Sequence, residues 1–275
     1  NRRIRPVANQ SGPIHVHVSF YLLNLLSITE AQQKIDVNAW VNFTWRDELR
    51  TWDPCEYDGI RLIHPEPLDI WRPRTFVSNS VSKRDLFADD YSPLTIYSSG
   101  LTRWYPGSVF SASCVMDITH FPFDLQSCFI RLLANEYAEE VVLVPRVPFV
   151  ITGGYIPNGE WELVSSSVVR EAPQFGEESF SRLVITMNFK RRPRFYLVNV
   201  IVPVIFMSIL SSFVFMLPED SGERASFSIT VLLSLSLFMG IVSGQLPKNA
   251  DTLPVIITYL FTLLLHSGLC VLVSV

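Results

Sequence analysis

One carboxylate, two hydroxyls and two leucines at helical spacing make the sharpest chemical pattern in this sequence. Steps of three and four residues from Glu223 reach Ser226, Thr230, Leu233, Leu237, Gly240 and Gly244, all on one helical stripe. Residues 225–246 around it hold 22 positions without a charge, close to the ~20 a helix needs to cross a hydrocarbon core. The stripe is acidic at its start, hydroxylic next, then apolar, then small. A single helix in lipid gains nothing from that gradient, whereas a helix lining water does. Repeated around an axis, Glu223 becomes a carboxylate ring that attracts cations. Ser226 and Thr230 become hydroxyl rings that replace part of a hydration shell, and Leu233 and Leu237 become a constriction able to close by dewetting. The same letters also fit a bundle helix whose hydroxyls bond its own carbonyls, so the surrounding elements must decide.

Other candidate chemistry is thin. His15 and His17 share one face of a strand but no third ligand is near in sequence, so ordinary strand residues explain them better than a metal site. Ser, His and Asp occur without a nucleophile elbow, and neither a phosphate loop nor a dinucleotide fingerprint is present. The reading is therefore not an enzyme, with no metal and no cofactor. A net charge of -4 argues against a general nucleic-acid binder. The chain begins at Asn1 in polar sequence without a leader, as a mature or trimmed protein would. Asn9-Gln-Ser and Asn42-Phe-Thr are glycosylation sequons.

The elements that must carry the stripe fall into two regions. Residues 1–194 alternate apolar and polar in His15–Phe20, Lys34–Phe43 and Arg182–Phe189. Turn letters recur between them at Tyr105-Pro-Gly107, Gly153-Gly154 and Pro157-Asn-Gly159. That pattern predicts a β-sandwich. Residues 195–275 are nearly all membrane, with spans at 195–217, 225–246 and 253–275. Pro203 should kink the first span, His266 lies inside the third, and Cys270 reads as a buried thiol. Lys190, Arg191, Arg192 and Arg194 precede the first span, where the positive-inside rule would place them in the cytoplasm. Long domains translocate largely regardless of charge, so a disulfide in the β region, if one forms, would decide for outside.

Cys114 and Cys128 enclose 13 residues with Phe121-Pro122-Phe123-Asp124 among them. A disulfide here would close a compact loop, stabilise it by ~3 kcal/mol, and push two aromatics and a carboxylate outward. This loop closely resembles the signature of the Cys-loop receptors, the pentameric ligand-gated ion channels. The resemblance extends over nearly the whole chain, through Trp40–Asp47, Ile70–Pro73, Tyr155–Trp161, Arg191–Tyr196 and Leu217–Arg224. The nicotinic and serotonin type-3 branch is the most similar.

The resemblance implies a mainly β extracellular sandwich, an α-helical transmembrane bundle, and a plasma-membrane subunit among four others, expected as a homopentamer. It also implies a fourth span after the third, which a chain ending at Val275 does not contain. In such receptors a small cationic agonist sits between subunits in an aromatic box. Trp40, Arg103 and Tyr105 match one wall, and Tyr137, Phe175 and Phe180 the other; core packing is the alternative for the two phenylalanines. Asn135 stands where the central tryptophan is expected and Ser78 where another aromatic is, which weakens an acetylcholine-like reading. Arg103 would disfavour a cation, and a glycan on Asn42 would obstruct the cleft. For gating, the resemblance puts Glu30 over the membrane, Arg191 beside an acidic partner, and the Phe121–Asp124 tip against the linker at Pro247. Gly222-Glu223 stands where anion-conducting relatives carry Pro-Ala, which implies permeating cations, with Asp220 assisting. Two other readings stay open: an accessory subunit without its own agonist site, and a membrane-tethered binding module.

Overall fold

The computed structural model describes residues 4–82, 92–218, 223–245 and 254–274. Its β part is a sandwich of two sheets. One runs β3(Leu62–Ile63)–β5(Leu94–Tyr97)–β6(Leu101–Trp104)–β2(Lys34–Arg46)–β1(Ile14–Thr29)–β9(Val141–Pro145), with β7(Gly107–Ser113) also on β2. The other runs β10(Trp161–Glu171)–β12(Glu178–Arg191)–β8(Leu125–Tyr137)–β4(Thr75–Val77), with β11(Gln174–Phe175) on β12. The alternation read in β1, β2 and β12 is the alternation of burial: Val16, Val18, Ile35, Val37, Leu183, Ile185 and Met187 all enter one core between the sheets.

β2 departs from clean alternation where it changes partners. Its first half pairs with β7 and its second with β6, while β1 covers its other edge. From Val41 to Trp45 every side chain is buried, including Asn42, whose Oδ1 accepts a 3.2 Å bond from the Thr44 hydroxyl. The expectation of a glycan on Asn42 that screens a ligand cleft is therefore corrected, because a 3% exposed amide has no room for a sugar. Asn9 is exposed.

Among the described residues three helices are long and apolar enough to cross a membrane: Arg194–Met216, Glu223–Gly244 and Val255–Val273. The first contains a π-helical turn at Leu197–Ile201, just before Pro203. Proline has no N–H to donate to the carbonyl four residues back, so the ladder widens there. A second apolar cluster joins the two parts of the chain: Ile118 and Phe121 of the disulfide loop pack with Val204, Val242, Ile256 and Leu260 of the spans. Below them the Val255 N–H donates 3.1 Å to the Thr119 carbonyl.

Candidate functional site

The second span places the predicted stripe as a stripe. Glu223, Ser226, Thr230, Leu233, Leu237, Gly240 and Gly244 are all exposed, with Leu233 60% and Leu237 64% accessible. The opposite face, Ser228, Val231, Leu235 and Val242, is buried. The hydroxyls behave as the bland reading expected: Thr230 donates 2.8 Å to the Ser226 carbonyl, and Ser228, Ser234 and Ser236 bond carbonyls four residues back. The two readings are compatible. A hydroxyl that spends its proton on its own helix offers only oxygen lone pairs outward, which suits a cation. Asp220, Gly222 and Pro247 lie outside the described residues.

Where sandwich meets spans, Arg191 is the centre. It is fully buried, and its guanidinium meets Asp124 at 2.8 Å, Glu160 at 3.0 Å and Glu30. Its carbon lies 4.2 Å from the Trp161 ring centroid, 4.9 Å from Phe121 and 5.2 Å from Tyr196. Burial opposes its charge, but Asp124 and Glu30 outweigh burial and hold its pKa above the ordinary arginine value. Glu30 begins a single 3-10 turn after β1, Asp124 precedes β8 and Glu160 precedes β10, so three distant segments converge on Arg191 at the end of β12.

The Cys114–Cys128 disulfide is formed, but the loop does not project all of its tip. Only Phe123 is exposed, at 58%. Phe121 turns edge-on to Tyr196 at 4.9 Å and Asp124 turns in to Arg191. The expectation that both aromatics and the carboxylate point outward fails because the spans and Arg191 offer them burial and a counter-charge. Glu160 was missed as a participant. Its Oε1 accepts from Arg191 and, at 2.7 Å, from the Tyr196 hydroxyl. Its signal was the carboxylate in Gly159-Glu160-Trp161, beside the aromatic that stacks on Arg191.

The expected ligand residues divide between two surfaces. Trp40 and Tyr105 line one cleft of about 580 Å³ with Pro93 and Val109. Trp40 is 52% exposed and lies over Gly107, where an added Cβ would come within 2.5 Å of its ring. Among the described residues, Arg103 does not line that cleft. It stacks on Tyr97 at 5.2 Å and donates 3.3 Å to the Tyr97 hydroxyl, a neutral partner that leaves its charge in place.

On the second surface Tyr137 and Phe180 rings are 5.5 Å apart and Phe180 and Phe175 5.8 Å apart. Gly176 at φ +68 turns the β11–β12 hairpin that presents Phe175 opposite Glu178. Tyr137 donates 2.8 Å to Glu178 Oε1, a bond that raises the tyrosine pKa. Phe175 is exposed and Phe180 half-buried, so neither is a core residue. Ser78 and Asn135 are exposed on and beside β4 and β8, and neither supplies a ring. His15 and His17 are exposed on β1.

A sandwich with a disulfide loop seated on spans, one of them with a polar outward stripe, defines a membrane receptor of the channel class. Residues 1–193 match the neurotransmitter-gated ion-channel ligand binding domain and residues 200–275 the neurotransmitter-gated ion-channel transmembrane region. The chain belongs to the neurotransmitter-gated ion-channel family. It is 32% identical to neuronal acetylcholine receptor subunit alpha-6 of Rattus norvegicus over 278 residues, covering 100% of this chain and 56% of the relative. It is 34% identical to acetylcholine receptor subunit alpha-type acr-16 of Caenorhabditis elegans over 260 residues, 93% of this chain and 52% of that protein. The chain spans about half the length of the curated relatives it matches. Membership in a receptor family accords with the reading that the chain is no enzyme.

Proposed function

We propose that this chain is a subunit of a pentameric ligand-gated channel in the plasma membrane, with the sandwich outside the cell and cations passing along the second span. The observation that carries it is the unbroken exposed stripe from Glu223 to Gly244 opposite a buried face. A carboxylate at one mouth and outward oxygen lone pairs favour cations over anions. Ligand is taken up between the Trp40–Tyr105 cleft of one subunit and the Tyr137–Phe180–Phe175 rings of the next, and Arg191 couples that event to the spans. The chain is expressed in oocytes, alone or with a nicotinic partner subunit, and opened by any agonist that a screen reveals. The reversal potential should then follow sodium and potassium; one that follows chloride contradicts the proposal.

A second reading is favoured by Asn135 and Ser78. Without rings there, cation–π attraction of about 0.5–2 kcal/mol per contact is lost. The chain then serves as an accessory subunit whose agonist binds elsewhere in a mixed pentamer. Currents from the chain expressed alone decide against that reading; silence alone and current with a partner decide for it. The tethered-module reading leaves the polar stripe without a purpose.

A further inference from the structure

Around the rings of Tyr137, Phe180 and Phe175 the chain gathers carboxylates rather than further aromatic faces. Glu178 accepts the 2.8 Å bond from the Tyr137 hydroxyl on Oε1, one of its two oxygens. It also pairs with Phe175 across the β11–β12 hairpin, so it stands beside two of the three rings. Glu177 precedes it in the hairpin, and Glu139 lies in the turn that follows Tyr137. All three carboxylates are exposed.

The cations of this surface are already engaged. Arg182 pairs with Glu171, its Nε 3.0 Å from that carboxylate. The charge of Arg74 acts on Glu136. Arg5 is held by the carbonyls of Gly12, Gln10 and Glu140, which sets it against Glu140. Glu139, Glu177 and Glu178 form no ion pair among the described residues. Asn135, exposed two residues before Tyr137, adds an amide oxygen. Oxygen acceptors reward a different cation from ring faces. A quaternary ammonium has no N–H and is held by ring faces alone. A primary ammonium has three N–H donors, and its bond to a carboxylate is about twice as strong as a neutral one.

We propose that the agonist is an arylalkyl primary amine whose ammonium donates to Glu178. Its aryl group lies between the Phe175 and Phe180 rings and the Trp40–Tyr105 cleft. The inference rests on the reading that ligand is taken up between those two surfaces. Glu178 is then the residue that sets specificity. The Tyr137 hydroxyl holds its carboxylate in place, so little ordering is left to lose on binding. The same carboxylate selects against a quaternary amine, whose methyl groups would cover its oxygens and give them no donor.

The test uses the full chain in mild detergent, titrated by calorimetry with phenethylamine, its N,N,N-trimethyl derivative and phenethyl alcohol. All three carry the same aryl group, and the two amines carry the same charge. Phenethylamine is expected to bind about tenfold or more tighter than either of the others, the worth of one charge-assisted bond. Glu178→Gln should abolish that advantage and leave the trimethyl derivative within about threefold. Phe175→Ala should weaken both amines alike. Glu162→Gln, an exposed carboxylate at the membrane end of β10, should change neither. Light scattering on the same sample reads the number of subunits. Equal binding of the two amines, tighter binding of the trimethyl derivative, no binding of phenethylamine, or an unchanged preference in Glu178→Gln overturns the proposal. Seen in a pentamer, any of these leaves the channel reading standing. Failure to assemble, alone and with a partner subunit, overturns both.

Discussion

Replacing Arg191 with alanine removes the cation on which three carboxylates converge. The outcome depends on where each carboxylate is left. Glu160 has a side chain 47% exposed and can return to water, so its pair contributes no more than ~1 kcal/mol. Asp124 and Glu30, with side chains 2% and 15% exposed, cannot. Breaking a buried pair by removing one partner costs about 3–5 kcal/mol, and the lost guanidinium–ring contacts add about 1 kcal/mol. We therefore expect about 5 kcal/mol of destabilisation, which at ~2–4 °C per kcal/mol lowers the melting midpoint by roughly 10–20 °C. Thermal unfolding followed by size-exclusion chromatography of the detergent-solubilised protein reads that shift. Surface labelling reads the loss of mature subunits. If uncompensated charge is the cause, adding Asp124→Asn and Glu30→Gln to Arg191→Ala should recover at least half of the loss. A midpoint within 2 °C of wild type, or no recovery from the neutral partners, refutes the reasoning.

Glu136 makes a pH prediction. Burial pushes its carboxyl up to about 7 from an ordinary 4.5, only partly offset by the backbone N–H groups of Glu136 and Arg74 and by the Arg74 charge, while Glu140 raises it further. Between those values the folded chain holds a proton that the unfolded chain releases, so stability falls as pH rises from about 4.5 to 7 and stays lower above. Glu136→Gln should flatten that slope and stabilise the protein at pH 8 by about 1–3 kcal/mol, read as the melting midpoint against pH; an unchanged slope counts against it. Gly107→Ala forces the Trp40 ring to shift, so it should alter tryptophan fluorescence and weaken any cleft ligand several-fold. An unaltered spectrum would show that the ring has room. Glu223→Ala should shift the reversal potential toward chloride and reduce cation current; unaltered selectivity would remove Glu223 from the proposed filter.

Much of this was legible in the letters. Alternation in β1, β2 and β12 reports burial directly, because a strand's period of two survives any topology. The stripe from Glu223 survived for the same reason at the helical period. What escaped depended on partners far away in sequence. Asn42 sits in an alternating strand, yet it is buried because β2 exchanges β7 for β6, which no local window contains. Phe121 and Asp124 read as an exposed tip until the spans and Arg191 arrive, the latter 67 residues on. Arg103 looked like a cleft residue by strand position, but Tyr97 six residues back captures it. Glu160 carried no periodic signal, and its role appears only when β10 and β12 set Trp161 opposite Arg191.

Ion conduction along the second span requires that its Glu223–Gly244 stripe meet water. Single cysteines at Ser226, Thr230, Leu233 and Leu237, and at Val231, Leu235 and Val242 as buried controls, in a background with Cys55 and Cys270 replaced, decide it. The assembled protein is placed in nanodiscs, open to reagent from both faces, and treated with a charged, membrane-impermeant maleimide. Labelling at the first four positions with protection of the other three is the predicted result. Protection of Ser226, Thr230 and Leu233, as lipid-facing or helix-packed residues would show, contradicts it.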